Sequence, residues 1–134
     1  MAEKLPAHFL ELVQDALLKS YWRRRTFRTA LRRNGIAETF LSTWAADESK
    51  RQLLDRLFPA LEKSERGPGL IKQLAVHLAD QITFPDLQGW PDEEAKIAAA
   101  RESTVALKAY IEREWSSAEV ERARKAIREE ATKQ

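Results

Sequence analysis

The chain has 134 residues, of which 43% are hydrophobic and 33% charged, and its formal net charge is +2. This length is typical of a single domain with its own core, and the lack of cysteine excludes disulfides and thiolate metal sites. No apolar run approaches the roughly 20 residues that span a bilayer, and so small a net charge excludes a basic coat over the whole surface. We therefore expect a cytoplasmic protein that makes no contact with a membrane.

The chain has few breaks and no alternating β-branched run, which favours helices over strands. Only four glycines and five prolines interrupt it. We predict an all-α fold, a compact bundle of five to six short helices with a long charged C-terminal helix that is broken near Ser116. The predicted segments are a bundle domain, 1–115, and a C-terminal charged helix or connector, 116–134.

The first two predicted helices meet at a strongly cationic corner. Apolar residues at helical spacing predict a first helix from Pro6 to about Ser20. A second helix follows and ends at Asn34-Gly35, a pair that stops helices. The chain from residue 19 to residue 33 holds seven cations and no acid: Lys19, Arg23, Arg24, Arg25, Arg28, Arg32 and Arg33.

Several of these arginines share one face of the second helix. At 100° per residue, Arg25, Arg28 and Arg32 lie together, beside the apolar stripe that begins at Phe27. This pattern predicts a surface that binds an anion, either an acidic protein partner or a phosphate backbone. The alternative is a solvated face whose charge is balanced by acids of the same domain. The candidate partner- or phosphate-binding residues are Arg24, Arg25, Arg28, Arg32 and Arg33.

The middle of the chain predicts three further helices. A short third helix covers about Ala37–Trp44, and a fourth begins near Asp47, a residue suited to the N-cap. Pro59 is expected to kink or end the fourth helix, because proline removes a helical donor. The fifth helix starts within the glycine-proline loop at residues 64–69 and carries apolar positions through Ile82.

The last third of the chain predicts a buried connection and a broken helix. The segment Thr83–Trp90 is too apolar for a linker, so we expect it to fold back on the core. Pro91 opens the sixth helix, and the spacing of Ser116 and Glu119 matches a capping box that starts another. Apolar residues on both sides of this break form a candidate oligomer contact: Leu107, Ile111, Trp115, Val120 and Ile127.

No arrangement of residues in the sequence indicates catalysis. The two histidines, His8 and His77, lie on predicted helix surfaces, and no serine or cysteine nucleophile accompanies them. Metal-ligand spacings and a phosphate-binding Gly-Lys motif are also missing from the sequence. We expect no enzyme activity, no metal, no cofactor and no small-molecule substrate.

Three sequence blocks carry a resemblance: FRTALRRNGI, LLDRLFPAL and LIKQLAVHLADQITFPDL. The chain from Leu5 to about Trp90 resembles small helical domains fused to effectors in bacterial conflict systems. These include effector-associated, death-fold-like modules and the N-terminal domains of abortive-infection proteins. The resemblance implies a non-catalytic adaptor in antiphage defence that docks with a protein partner or with itself to recruit or position an effector. Arg24, Arg25, Arg28 and Arg32 would then meet an acidic face of that partner.

A second hypothesis is nucleic-acid binding. The chain from Ala30 to Trp44 partly matches a helix-turn-helix, with Gly35 at the turn. The predicted reading helix offers no arginine or lysine, although such residues make most contacts to bases and phosphates. The sequence therefore favours non-specific contact with DNA or RNA through the preceding basic helix over sequence-specific reading.

Overall fold

The computed structural model describes residues 4–132, and within this range the chain is all-α. The predicted fold class is therefore confirmed. The ends of the predicted segments, residues 1–3 and 133–134, lie outside the described residues. The helices are α1 Ala7–Ser20, α2 Arg24–Arg33, α3 Glu38–Leu41, α4 Lys50–Lys63, α5 Gly67–Ala79, α6 Glu93–Glu114 and α7 Ser117–Thr132, with a 3₁₀ turn at Pro85–Leu87.

Helix α5 lies at the centre of the bundle. It packs against α1, α4, α6 and α7, because apolar residues cover most of its circumference. Ile71, Leu74 and Leu78 are fully buried there. Burial of one such side chain contributes about 1.5 to 3 kcal/mol to stability, so the packing of the other helices on α5 holds the bundle together.

The start of α4 and its proline differ from the prediction. The N-cap is Ser49, two residues after Asp47, and Ser49 exchanges hydrogen bonds with Gln52 in a capping box. That reciprocal pair satisfies two free backbone donors, which a lone aspartate at the N-cap cannot do. Pro59 lies inside α4 without ending it. The carbonyl that loses its helical donor belongs to Asp55, on the exposed side of the helix, where water can replace the donor.

Two helices are shorter than predicted. Helix α3 is a single turn, after which the indole Nε1 of Trp44 donates to the carbonyl of Glu48 at 2.8 Å. Helix α5 ends at Ala79, and the side chain of Ile82 beyond it is 83% exposed. The expected inward position of Ile82 is therefore wrong, because the chain has already left the helix at this point.

The segment after α5 folds back as predicted but builds a small core of its own. Phe84 and Leu87 are buried against Ala100 of α6, and Ile97 packs on this cluster. Trp90 is only half-buried and meets the edge of another tryptophan at the start of α2. The segment therefore joins α6 to the corner that precedes α2.

The predicted break at Ser116 is confirmed. The Ser116 N–H donates to Glu119 Oε1 at 3.3 Å, and the Glu119 N–H donates to Ser116 Oγ at 3.2 Å. These bonds start α7, and α7 turns back along α5.

The residues of the candidate oligomer contact pack within the chain itself, and their contact with a second copy stays a prediction. Leu107 and Ile111 are buried in the main core. Trp115, Val120 and Ile127 are half-buried against the same core, since α7 lies on α5. The narrow row of apolar residues on the C-terminal helix thus packs against the core of the same molecule.

Candidate functional site

A carboxylate from a distant segment holds the start of α2. Asp86 Oδ2 accepts the backbone N–H groups of Trp22 and Arg23 at 2.6 and 2.9 Å, and Oδ1 accepts from the Arg23 guanidinium at 3.0 Å. These two N–H groups belong to the residues immediately before α2, and a negative charge near the start of a helix also suits the helix dipole. Asp86 therefore anchors the chain just before α2.

The charge of Asp86 is stabilised by this arrangement. Burial of the carboxyl raises its pKa. Hydrogen bonds from the Arg23 backbone, the Arg23 guanidinium and the Trp22 backbone outweigh the burial, so the net pKa of Asp86 lies below its usual range. The Asp86 carboxyl is consequently ionised at neutral pH.

Two lysines close the same corner. Lys50 Nζ donates to the carbonyls of Tyr21 and Trp22 at 3.1 and 2.6 Å. Lys96 Nζ lies 3.9 Å from the centroid of the Trp22 ring. Burial lowers the pKa of Lys50, and the Asp86 carboxylate partly offsets this shift. These contacts therefore hold the corner before α2 in place, and Lys50 and Lys96 stabilise the fold there.

Arg24 is also engaged by the molecule itself. Its guanidinium donates to the carbonyls of Glu48 and Ala45 at 2.6 and 2.9 Å and lies 3.8 Å from the centroid of the Trp44 ring. These contacts bind α2 to the loop between α3 and α4. Arg24 is nevertheless exposed, and its contact with a partner stays a prediction.

The side chains of the remaining arginines of α2 are largely available to a binding partner. Arg28 forms an ion pair with Glu38, and both side chains of the pair are partly exposed. The side chains of Arg25, Arg32 and Arg33 have no hydrogen bond or ion pair within residues 4–132. Arg25 and Arg32, seven residues apart, share the exposed face of Arg28. We call Arg25, Arg28 and Arg32 the cationic face.

Arg33 points toward a different region from the cationic face. Together with Arg32 it lines an open groove of about 770 Å³ that also includes His77 and Ile127. The lining of this α2–α7 groove thus includes both cations and apolar side chains. Arg33 is thus exposed, and the groove that it lines lies between the end of α2 and helix α7.

His77, which lines this groove, belongs to a hydrogen-bonded trio with Tyr21 and Gln81. Gln81 Nε2 donates to the Tyr21 hydroxyl at 3.0 Å, and that hydroxyl lies 3.0 Å from His77 Nε2. Burial lowers the pKa of His77, against a smaller opposing effect of Asp80, so the surroundings of the ring favour its neutral form.

A second groove lies between α1 and α4 and is acidic. It encloses about 640 Å³ and includes four carboxylates and one arginine, over a floor that contains Leu54 and Phe58. Glu11 has no hydrogen bond or ion pair in the described part of the chain, while Asp55 accepts only from Gln14 at 3.1 Å. The acids of this groove, which we call the acidic groove, are Glu11, Asp15, Asp55 and Glu62.

The acidic groove is not apparent from the sequence alone, although a signal for it is present. Glu11 and Asp15 are four residues apart, and Asp55 and Glu62 are seven apart, so each pair lies on one helix face. Only the packing of α1 on α4 reveals that the two pairs face each other.

In the proposed helix-turn-helix, the helix that would read the bases is too short to lie along a major groove. With four residues, α3 is about 6 Å long, much shorter than the helices that lie in a major groove. Phe40 of this turn packs beneath the Arg56 guanidinium, at 5.0 Å from the ring centroid. The turn thus contributes to the fold.

The division between engaged and available arginines predicts different effects on stability. We expect Arg24→Ala to lower the free energy of unfolding by about 1 to 2 kcal/mol, because hydrogen bonds and a cation–π contact are lost. The matched variant Arg25→Ala should stay within about 0.5 kcal/mol of the wild type. Urea unfolding of both variants measures this, and equal values would show that Arg24 is as available as its neighbour.

No helix in residues 4–132 is both long and apolar enough to cross a membrane.

The candidate site consists of the cationic face, the α2–α7 groove beside it, and the acidic groove between α1 and α4. Comparisons of the chain with protein-family models, with curated proteins and with solved structures found no match.

Proposed function

We propose that this chain is a non-catalytic docking module that self-associates, with the cationic face of one copy bound in the acidic groove of the next. The observation that carries the proposal is the pair of unpaired arginines, Arg25 and Arg32, on the exposed side of a rigidly held helix. An acidic groove on the same molecule supplies the complementary charge.

The shapes of the two surfaces also match. Helix α2 has 10 residues, which makes it about 15 Å long, and presents a convex cationic side. The acidic groove is concave, so the arginines of a helix that lies between α1 and α4 would meet its carboxylates. The surfaces share no residue, so one copy offers both at once. Such head-to-tail contact produces rings or open chains.

Self-association of this kind agrees with the adaptor role that the sequence resemblance implies. In that role the module recruits or positions an effector, in the cytoplasm and in antiphage defence. Nucleic-acid binding through the same arginines is the alternative, and it becomes an outcome of the experiment below.

The experiment compares Arg25→Glu/Arg32→Glu with Arg101→Glu/Lys108→Glu. Both pairs are exposed cations seven residues apart without a hydrogen bond or ion pair from their side chains in the described residues, and both variants change the net charge equally. Sedimentation velocity of the wild type should show self-association that weakens as salt is raised. We expect the α2 variant to weaken it at least about tenfold and the α6 variant to leave it nearly unchanged.

Three results would contradict the proposal. The wild type would remain monomeric at low salt, or both variants would weaken self-association equally. In the third, duplex DNA would bind with a steep salt dependence that only the α2 variant abolishes, while self-association is absent. That result would assign the arginines to phosphates.

A further inference from the structure

The α2–α7 groove has no part in the docking proposed above, and it shares only Arg32 with the cationic face. It encloses about 770 Å³ between the end of α2, the last turn of α5 and the last turns of α7. Its lining combines two arginines, an asparagine and a histidine with two apolar side chains, and no acid is among these residues in the described part of the chain. Apolar surface with a few polar groups is typical of ligand-binding sites.

Asn34 provides a hydrogen-bond acceptor that lacks a donor. The residue is only 2% exposed, and its Nδ2 donates to the carbonyl of Ala30 at 2.8 Å. Its Oδ1 accepts no hydrogen bond within residues 4–132. The side-chain atoms that are both unpartnered and completely enclosed belong to Ser20, Gln73 and Gln81, so Asn34 Oδ1 keeps some accessible surface. Since Asn34 lines the groove, an N–H donor in the groove can reach this oxygen, which calls for a partner.

His77 contributes a second free polar atom to the lining. Its Nε2 lies 3.0 Å from the Tyr21 hydroxyl, while its Nδ1 has no hydrogen bond in the described part of the chain and is not enclosed. Burial lowers the pKa of His77, so the ring adds no charge to the groove at neutral pH. Asp80, the acid that opposes this shift, is itself paired with the Arg124 guanidinium at 3.0 and 3.1 Å.

The charges and the free acceptor together define the ligand. Arg33 is exposed and unpaired in residues 4–132, and a guanidinium binds a carboxylate through two parallel hydrogen bonds. A carboxylate alone leaves Asn34 Oδ1 without a donor. A free amino acid brings an ammonium group, which Arg32 and Arg33 repel, whereas the N–H of a peptide bond donates without a charge.

We propose that the α2–α7 groove binds the free C-terminus of a peptide that ends in an apolar residue. The carboxylate pairs with Arg33, the backbone N–H of the last residue donates to Asn34 Oδ1, and the last side chain lies on Ile127 and Ala131. The volume of the groove lies within the range of about 300 to 1,000 Å³ that holds drug-sized molecules. The residues that precede the C-terminus therefore fit along the open groove.

The experiment titrates the full chain with the tripeptide acetyl-glycyl-alanyl-leucine. Three relatives each lack one feature, because the carboxylate is amidated, the leucine nitrogen is methylated or the leucine is replaced by glycine. Nitrogen–proton correlation spectra report the side-chain amide of Asn34. We expect the tripeptide to shift this signal, the first two changes to weaken binding at least about tenfold, and the glycine peptide to bind more weakly than the parent.

Three results would overturn the proposal. The Asn34 signal would not shift with the tripeptide, or the amidated peptide would bind as tightly as the acid. In the third, free leucine, acetate or inorganic phosphate would bind as tightly as the tripeptide, which would show that the groove attracts anions without recognising a peptide end.

Variants at exposed positions test the groove without disturbing the core. Arg33→Gln should weaken binding of the tripeptide at least about tenfold and have little effect on the amidated peptide. Ala131→Glu should also weaken binding, because its carboxylate repels that of the peptide. Arg101→Gln, which removes an exposed cation of α6, is the control and should leave the affinity unchanged.

Self-association separates this proposal from docking through the cationic face. Because Arg33 lies outside that face, Arg33→Gln should self-associate like the wild type in sedimentation velocity while it loses the peptide. Equal loss of peptide binding in the Arg33 and Arg101 variants would contradict the proposed role of Arg33, whatever the outcome for docking.

Discussion

Replacing Gly67 by alanine is expected to lower the free energy of unfolding by about 3 kcal/mol or more. A Cβ atom at this position would lie 1.7 Å from the carbonyl oxygen of Leu61 and 2.4 Å from its carbonyl carbon. These are backbone atoms of the last turn of α4, and they cannot move without separating α4 from α5. Because the bundle is built around α5, the strain affects the whole core.

The chain provides a matched control for this substitution two residues later. A Cβ atom at Gly69 would meet no atom within 4 Å. Gly69→Ala should therefore leave stability unchanged or raise it by about 0.5 to 1 kcal/mol, because alanine is the better helix former. Urea unfolding of the two variants measures the difference. Equal effects would show that α4 and α5 do not meet as closely as the structure shows.

Replacing Asp86 by alanine is expected to lower the free energy of unfolding by about 2 to 3 kcal/mol. The change leaves the N–H groups of Trp22 and Arg23 without their acceptor and removes the ion pair with the Arg23 guanidinium. Amide hydrogen exchange should accelerate in the first turn of α2. Asp92→Ala, which removes an exposed carboxylate paired with Lys96, is the control and should have a smaller effect.

The effect of Asp86 should also depend on pH in a defined direction. Its pKa is lowered in the folded chain, so the folded state favours the carboxylate. The stabilisation is therefore complete above the pKa of an unfolded aspartate, about 3.9, and is lost as pH falls through the folded pKa. The difference in unfolding free energy between wild type and Asp86→Ala should be largest near pH 7 and shrink below about pH 4. A difference that stays constant or grows toward low pH would contradict stabilisation by an ionised Asp86 carboxylate.

The features predicted correctly from the sequence depend on neighbouring residues. The stop at Asn34-Gly35 and the capping box of Ser116 and Glu119 are local, because each involves residues within one helical turn. The apolar spacing that predicts α5 is local as well. Such signals determine where helices begin and end, and they suffice for the fold class.

The features missed from the sequence depend on contacts between distant segments. Asp86 reaches the backbone of Arg23 across 63 positions in sequence, so no local pattern reveals that it anchors the chain just before α2. The guanidinium of Arg24 donates to carbonyls of Ala45 and Glu48, which only the packing of the α3–α4 loop brings near. The sequence showed a basic helix, and tertiary contacts determine which of its arginines a partner can reach.

Two variants of the chain, each impaired at one surface, separate head-to-tail docking from other forms of association. Arg25→Glu/Arg32→Glu lacks the cationic face but keeps the acidic groove. Glu11→Gln/Asp55→Asn keeps the cationic face and lacks two charges of the groove. Neutral replacements in the groove prevent the new glutamates from forming an opposite pairing.

Sedimentation velocity of the two variants, alone and mixed at low salt, gives the decisive comparison. We predict that each variant alone is largely monomeric and that the equimolar mixture forms a one-to-one dimer and nothing larger, because only one intact contact is left between them. A mixture that stays monomeric while the wild type associates, or a single variant that associates as well as the wild type, would contradict docking of the cationic face into the acidic groove.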